Sequence, residues 1–456
     1  MTTVTSEVRA RSRLVDRFAL TAIALVAVLS VALLHPTPAS AAPQATNATV
    51  ASADPSAITF KVHVTADADI ASATVNYKTI NPNGNIGGSL RADVSGRNTD
   101  VSVTLQTNSN ERYVPVGTLY RYSWSIVDKN GATTATPEQD YTFLDGRYQW
   151  QSRSNDRVLV YWYGANEANA NKAMEAAATS IANNESLLNV KLTYPIKIIL
   201  WRNTADSKAA QQQRSASFDS QIITGGSRVA LDILHIYDPL NEFEDVVRHE
   251  TAHVLTKVAG DGTIATLPSW IDEGTAVYAQ VTPGGYEPSL RASIAADKLG
   301  RLRNMTSATN DPSFVNTFYG ESWNVVKFMV DTYGKQKFAG IFKSVKDGAP
   351  IDDALQANIG VDQDGLYNAW RKSVGLKTID FPPIPKSTGI AGAQATQPPL
   401  GIPSTVKSAD SSPEGAGGDN PLTAAPAKTI GVGIGAIVVA VGLGFAALRL
   451  ARKPKA

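Results

Sequence analysis

From about Ala57 to Asp145, apolar and polar residues alternate along the chain. Ile58, Phe60, Val62 and Val64 are separated by Thr59, Lys61 and His63. Val101, Val103 and Leu105 repeat the rhythm. So do Tyr120, Tyr122, Trp124 and Ile126, which are followed by an Asn130-Gly131 turn. A period of two sends successive side chains to opposite faces and predicts half-buried strands. Tyr141-Thr142-Phe143 reads as a closing strand. His63 falls on the polar side of its strand and is expected to be solvated rather than a ligand.

Short strands over about 57–145 predict an all-β sandwich of the immunoglobulin/fibronectin-like kind. Pro43 to Pro55, just before it, reads as a linker. The rhythm then changes. Val158 to Tyr163 and Ile196 to Trp201 are short apolar runs that predict buried strands, with an alanine-rich helical stretch, Ala165 to Asn183, between them. Ile222 to Leu234, interrupted by Gly225-Gly226, reads as a hairpin or one bent strand. Helical periodicity dominates from there to about Gly375. Strands first and helices later predict an α+β domain over about 147–376, with a helical C-terminal subdomain.

The two ends carry a different pattern. Arg9, Arg11, Arg13 and Arg17 precede an uncharged run from Phe18 to Leu34, and Ala39-Ser40-Ala41 offers small residues for cleavage. This reads as a signal peptide over 1–41, with an uncleaved anchor as the alternative. Residues 387–428 are rich in Pro, Ala, Gly, Ser and Thr and read as a disordered stalk. Residues 430–448 are uncharged and long enough for a single transmembrane helix, and the basic tail 449–456 follows. Positive residues stay cytoplasmic, so the reading is a single-pass protein of the cytoplasmic membrane with an extracellular ectodomain.

Composition adds two exclusions. The chain has 456 residues, and its 42 basic and 41 acidic side chains give a net charge of +1. No whole-chain basic field favours nucleic acid. There is no cysteine, so disulfide scaffolds, zinc ribbons and cysteine nucleophiles are excluded. Histidine chemistry must come from His35, His63, His235, His249 and His253.

His249-Glu250-Thr251-Ala252-His253 is the pattern H-E-x-x-H. Residues four apart share a helix face, so both imidazoles can reach one metal ion, with the Glu250 carboxylate beside them. A helix is expected here. Asn241 and Glu244 fit a capping box, Val246, Val247, Val254, Leu255 and Val258 supply apolar faces, and Gly260 and Gly262 end the helix. Leu267-Pro268-Ser269-Trp270-Ile271-Asp272-Glu273-Gly274-Thr275-Ala276 follows, with Ser269 as the expected cap of a second helix and Glu273 in its first turn. Nineteen residues separate His253 from Glu273, enough to turn and bring the second helix back. Two histidines and one carboxylate would leave a fourth zinc position open.

H-E-x-x-H followed by W-x-x-E-G-x-A resembles the gluzincin metallopeptidases. Within them the chain is most similar to the peptidase MA-like domain family, over roughly Arg147 to Leu376, including Phe318-Tyr319-Gly320-Glu321-Ser322-Trp323 and the stretch to Trp370. The resemblance implies Zn2+ held by His249, His253 and Glu273, and Glu250 as general base. The nineteen-residue gap is of the thermolysin type. The Trp-Ile-Asp-Glu-Gly wording is that of the aminopeptidase branch, whose shorter gap would make Asp272 the ligand instead. Tyr319 is the candidate oxyanion donor, against the reading of a packed core tyrosine, and Tyr278 is a weaker one. The stretch Ile222 to Val229 is expected to offer an edge strand to substrate. Val277 replaces the thermolysin-type aspartate, which leaves the histidines' second partners unassigned, and Asp245 is only near in sequence. His235 is expected to be a loop or core residue.

The function implied is a cell-surface zinc metallopeptidase acting on peptide or protein substrates. The alternatives are a catalytically silent surface binding or adhesion protein on the same scaffold, and a zinc hydrolase of a non-peptide bond. All four of His249, Glu250, His253 and Glu273 are intact, which favours an enzyme. Substrate preference and oligomeric state carry no signal in the sequence.

Overall fold

The computed structural model describes residues 41–109, 112–212, 225–239, 242–309 and 311–382. The signal-peptide segment up to residue 40, the stalk, the membrane-span segment and the basic tail lie outside them. Among the described residues, no helix is long and apolar enough to cross a membrane. The described chain forms two compact units. One takes the chain through residue 151, with 163–165 and the segment from 204 to 212. The other takes 152–162, 166–203 and the chain from 225 onward.

The first unit holds strands β1 (Gln44–Ala51), β2 (Ala57–Thr65), β3 (Ile70–Thr79), β4 (Ile86–Ala92), β5 (Asn98–Gln106), β6 (Leu119–Asp128), β7 (Thr133–Ala135) and β8 (Gln139–Thr142). They form a sheet β1-β2-β5 and a sheet β4-β3-β6-β7, with β8 also paired to β6. The predicted alternation decides what is inside. Ile58, Phe60, Val62 and Val64 of β2 are buried, as are Tyr120, Tyr122, Trp124 and Ile126 of β6. Phe60 meets Tyr122 edge-on at 5.2 Å, so side chains of the two sheets share one core. Asp128 closes the predicted turn by accepting from the Asn130 and Ala132 N–H groups at 2.9 and 2.8 Å. His63 is partly exposed and pairs with Asp100 at 2.7 Å.

The linker expected over Pro43 to Pro55 is corrected: β1 occupies most of it, pairing antiparallel with β2 from Gln44↔Thr65 to Ala51↔Thr59. This strand is held by its ladder and buries few side chains, so it has no hydrophobic period to read. Its register shifts between Thr46 and Thr49, where Asn47 adopts φ 52°.

Another sheet, built mainly from residues of the second unit, runs β12-β13-β11-β10-β9, with β9 (Trp150–Ser154), β10 (Val158–Tyr163), β11 (Ile196–Leu200), β12 (Gly226–Arg228) and β13 (Ile233–Ile236). The β10–β11 and β11–β13 pairs are parallel. A parallel pair needs a crossover, and α1 (Glu167–Leu188) supplies it between β10 and β11. Helix and strand therefore interleave before the helical half begins. A hairpin is present as β12 and β13, antiparallel and with β12 at the sheet edge, but its turn falls between Arg228 and Ile233 and Gly226 is paired within β12 instead of interrupting the strand; residues 222–224 lie outside the described residues. His235 lies inside β13.

The one-turn helix α2 (Thr204–Ser207) is followed, after the hairpin, by α3 (Phe243–Gly260), α4 (Ser269–Tyr278), α5 (Tyr286–Ala295), α6 (Val315–Tyr333), α7 (Lys335–Lys346), α8 (Ile351–Ile359) and α9 (Gln363–Ser373). Val158, Val160, Ile198 and Leu234 of the sheet share one core with Val247 and Leu255 of α3, Trp270 and Ile271 of α4, and Phe318 and Val326 of α6. Two glycines set the close approaches around α3 and α4. A Cβ on Gly226 would meet Val246 Cγ1 at 2.7 Å, so β12 lies directly against α3. A Cβ on Gly274 would run into the carbonyl oxygen of Ser322, so α4 and α6 touch backbone to backbone.

Glu321 of α6 is fully buried and accepts from the Gly300 N–H at 2.8 Å. Burial pushes its carboxyl up to about 8, against that hydrogen bond and the charge of Arg371. Because the folded value is raised, the stability it contributes is complete below its unfolded value near 4.5 and is lost as pH rises toward 8. Glu321→Gln keeps the acceptor and cannot ionise. Its urea midpoint is expected to gain on wild type steadily from pH 5 to pH 8.5. Parallel pH profiles for the two proteins would contradict this.

Candidate metal and catalytic site

Helix α3 carries the histidines as its period requires. His249 and His253, one turn apart, are both buried and their Nε2 atoms are 3.1 Å from each other. The helix is preceded by Glu242 in a left-handed conformation, φ 62°, with no side-chain cap. This differs from the expected cap at Asn241, which lies outside the described residues. Helix α4 follows Pro268, which takes the cap position expected for Ser269, so Ser269 becomes the first helical residue. Glu273 is then just beyond the first turn and points at α3. Its Oε2 is 3.2 Å from His249 Nε2 and 3.3 Å from His253 Nε2.

His249, His253 and Glu273 are the one group among the described residues whose donor atoms converge as a metal requires. Bond lengths of 2.0–2.1 Å in a tetrahedral zinc site imply ligand–ligand edges of about 3.3 Å. The observed 3.1, 3.2 and 3.3 Å match that edge. The site's electrostatics favour a cation too. Against its burial, the carboxylates of Asp272 and Glu273 pull the His253 imidazole up to about 10. Burial holds His249 down, to about 4. The residues present therefore fit a zinc ion by number, geometry and charge.

The second nitrogens of both rings are also held. His253 Nδ1 lies 3.0 Å from Asp272 Oδ1. Asp272 is thus behind the His253 ring, on the opposite side from the converging atoms, and Glu273 rather than Asp272 joins the cluster. His249 Nδ1 lies 2.9 Å from Nε2 of Gln280, just past α4, and turning that amide over puts its oxygen in the same place. An imidazole that coordinates through Nε2 carries its proton on Nδ1, which requires Gln280 to present its oxygen there. Asp245 meets neither histidine. It accepts from Arg248 at 2.7 Å and from the Val281 N–H at 2.9 Å, tying α3 to the loop that carries Gln280.

Glu250 is fully buried, and neither of its carboxylate oxygens has a hydrogen-bond partner among the described residues. Burial, with the nearby charge of Glu273, pushes it up to about 8; the charge of His253 offsets this in part, and the Arg228 backbone N–H on β12 contributes from outside hydrogen-bonding geometry. A buried, unpartnered carboxylate is costly unless something else occupies the space it faces.

Tyr319 is brought to the site. Its ring centroid is 6.2 Å from that of His249, and it stacks on Tyr286 at 5.2 Å. It is both a packed residue and a lining one. Tyr278 is half-buried against the core. His235 is buried between Trp201 and Tyr237, 6.0 Å from each, and is no part of the cluster.

Sequence reasoning missed Gln280, just past α4, and Tyr286, the first residue of α5, which stacks on Tyr319. It also missed Lys257, whose Nζ is 3.2 Å from Asp272 Oδ2. The signal for Lys257 was available: it continues the spacing of four from His249 and His253 along one helix face.

Residues 176–375 match the model of the Peptidase MA superfamily, a span that contains every residue of this cluster. No curated protein matches the chain. Three solved structures are similar in part. An aminopeptidase N family protein from Idiomarina loihiensis is 10% identical, with 72% of this chain and 75% of that one covered, at a TM-score of 0.35. The third fibronectin III domain of human KIAA0343 protein is 13% identical over 22% of this chain and 80% of that one, at 0.17. Spo0M, a sporulation control protein from Bacillus subtilis, is 11% identical over 31% and 55%, also at 0.17. At those scores none of the three bears on what this chain does.

Proposed function

We propose, from the match of residues 176–375 to the Peptidase MA superfamily, that this chain is a zinc-dependent peptidase that hydrolyses peptide bonds with Glu250 as general base. One observation carries the reading. Three buried donor atoms converge at the edge lengths of a zinc tetrahedron, one helical step from a buried carboxylate with no hydrogen-bond partner among the described residues.

His249, His253 and Glu273 would hold the ion. Bound there, zinc supplies Lewis acidity toward water and the substrate carbonyl. Asp272 and Gln280 keep the two imidazoles oriented through their Nδ1 atoms. Glu250 takes a proton from the attacking water at its carboxylate and returns it to the leaving amine. Burial chiefly holds this carboxyl high, and the charge of a bound zinc would favour its ionised form, the one that takes a proton. Tyr319 donates its hydroxyl hydrogen to the developing oxyanion. The edge strand β12, lying against α3, offers its backbone to an extended substrate. The N-terminal leader and the apolar segment 430–448 support placing the enzyme on the outer face of the cytoplasmic membrane.

The test is cleavage of a peptide mixture, with products read by mass spectrometry. Cleavage should stop with a strong zinc chelator and return on adding zinc. A protein that binds zinc and cleaves no peptide would favour the silent binding protein, and one that cleaves only ester or amide probes of other kinds would favour a non-peptide hydrolase.

A further inference from the structure

The two oxygens of Asp272 are divided between two tasks. Oδ1 faces His253 Nδ1 at 3.0 Å and also accepts from Thr256 Oγ1. Oδ2 faces Lys257 Nζ at 3.2 Å. Lys257 is half-buried and also lies 3.5 Å from Asp261 Oδ1 at the end of α3. His253, Thr256 and Lys257, at positions i, i+3 and i+4 of a single helix, therefore grip one carboxylate from one face.

We propose that Lys257 is a positioning residue of the metal site: it holds Oδ2 of Asp272 so that Oδ1 stays aimed at His253 Nδ1 and the His253 Nε2 lone pair faces the metal. The inference rests on the zinc reading above and adds a residue that acts through Asp272, not on substrate.

Two physical arguments support it. A carboxylate gripped at one oxygen can still turn about its Cβ–Cγ bond, and gripping the second fixes its plane. A plane fixed this way sets both the tautomer and the orientation of the imidazole it faces. The second argument is charge. A metal-bound His253 is neutral, so among the described residues the buried Asp272 would then have no cationic neighbour except Lys257 within hydrogen-bonding reach. A buried carboxylate left without compensation is strongly unfavourable. Lys257 thus matters most when the site is loaded.

The competing role is purely structural: Lys257 would only close the last turn of α3 against Asp261. A double-mutant cycle separates the two. Zinc affinity is measured on the full chain by competition with a chromophoric chelator, for wild type, Lys257→Met, Lys257→Arg, Asp272→Asn and the Lys257→Met/Asp272→Asn double variant. Lys257→Met is expected to weaken zinc about tenfold, the lower end of the effect of removing a ligand's outer partner. Lys257→Arg should restore most of it. In the Asp272→Asn background the same change should cost nothing further, because the group it acts through is gone.

An equal loss in both backgrounds, or unchanged affinity in Lys257→Met, would overturn the inference. Should Lys257→Met fail to fold, Lys257→Gln carries the same cycle. A wild-type chain that binds no zinc fails the peptidase reading itself and this inference with it. A wild-type chain that binds zinc as tightly as Lys257→Met overturns this inference alone.

Discussion

Glu250→Gln is expected to lower kcat/KM for peptide hydrolysis by about 10²- to 10⁴-fold, the usual worth of a positioned general base. Zinc affinity should stay close to that of wild type, because the Glu250 carboxylate is not one of the three converging donors. The substitution is nearly isosteric in a site where both carboxylate oxygens are buried without hydrogen-bond partners among the described residues. It removes the ability to take a proton and little else. Folding should therefore survive, and in the metal-free protein a neutral side chain in this buried position should raise stability at alkaline pH, where wild-type Glu250 must ionise. An unchanged rate in a folded, zinc-loaded variant would remove Glu250 from the mechanism.

The second large effect concerns the third ligand. Glu273→Ala is expected to abolish stoichiometric zinc binding, since it removes one of three donors that meet at 3.1–3.3 Å. Asp272→Ala should cost less, about 10- to 100-fold in affinity, as loss of an outer partner of a ligating histidine does. The neighbouring carboxylates thus have separable roles, set by the direction each leaves helix α4. Burial alone would raise the Asp272 carboxyl, but His253 and Lys257 hold it well below the usual range, so it stays charged behind its histidine. Zinc content after dialysis distinguishes the two variants. If Asp272→Ala alone lost the metal while Glu273→Ala kept it, the ligand assignment would be reversed.

What the sequence made legible was local and periodic. The period of two in β2 and β6 marked the sandwich core correctly, residue by residue. The spacing of four placed His249 and His253 on one face of α3. The gap to Glu273 allowed α4 to return, and it does. What stayed hidden was held by backbone ladders or by single distant contacts. β1 buries little and so has no hydrophobic signature. Gln280 reaches His249 across a turn, with no spacing rule to announce it. Asp272 was visible as a rival ligand, but only the direction of its carboxylate shows that it backs His253. The cap expected at Asn241 differs because the chain enters α3 through a left-handed Glu242, a local conformation that residue type does not foretell. The signal peptide, stalk and membrane span are sequence readings outside the described residues.

The central claim is that His249, His253 and Glu273 form a zinc site. Its most direct test is the metal content of the purified, folded full-length chain by mass spectrometry, for wild type and for His249→Ala/His253→Ala. The account predicts one zinc per chain in wild type and none in the double variant. A folded wild-type chain that takes up no zinc when the metal is supplied, or a double variant that retains it, would contradict the account.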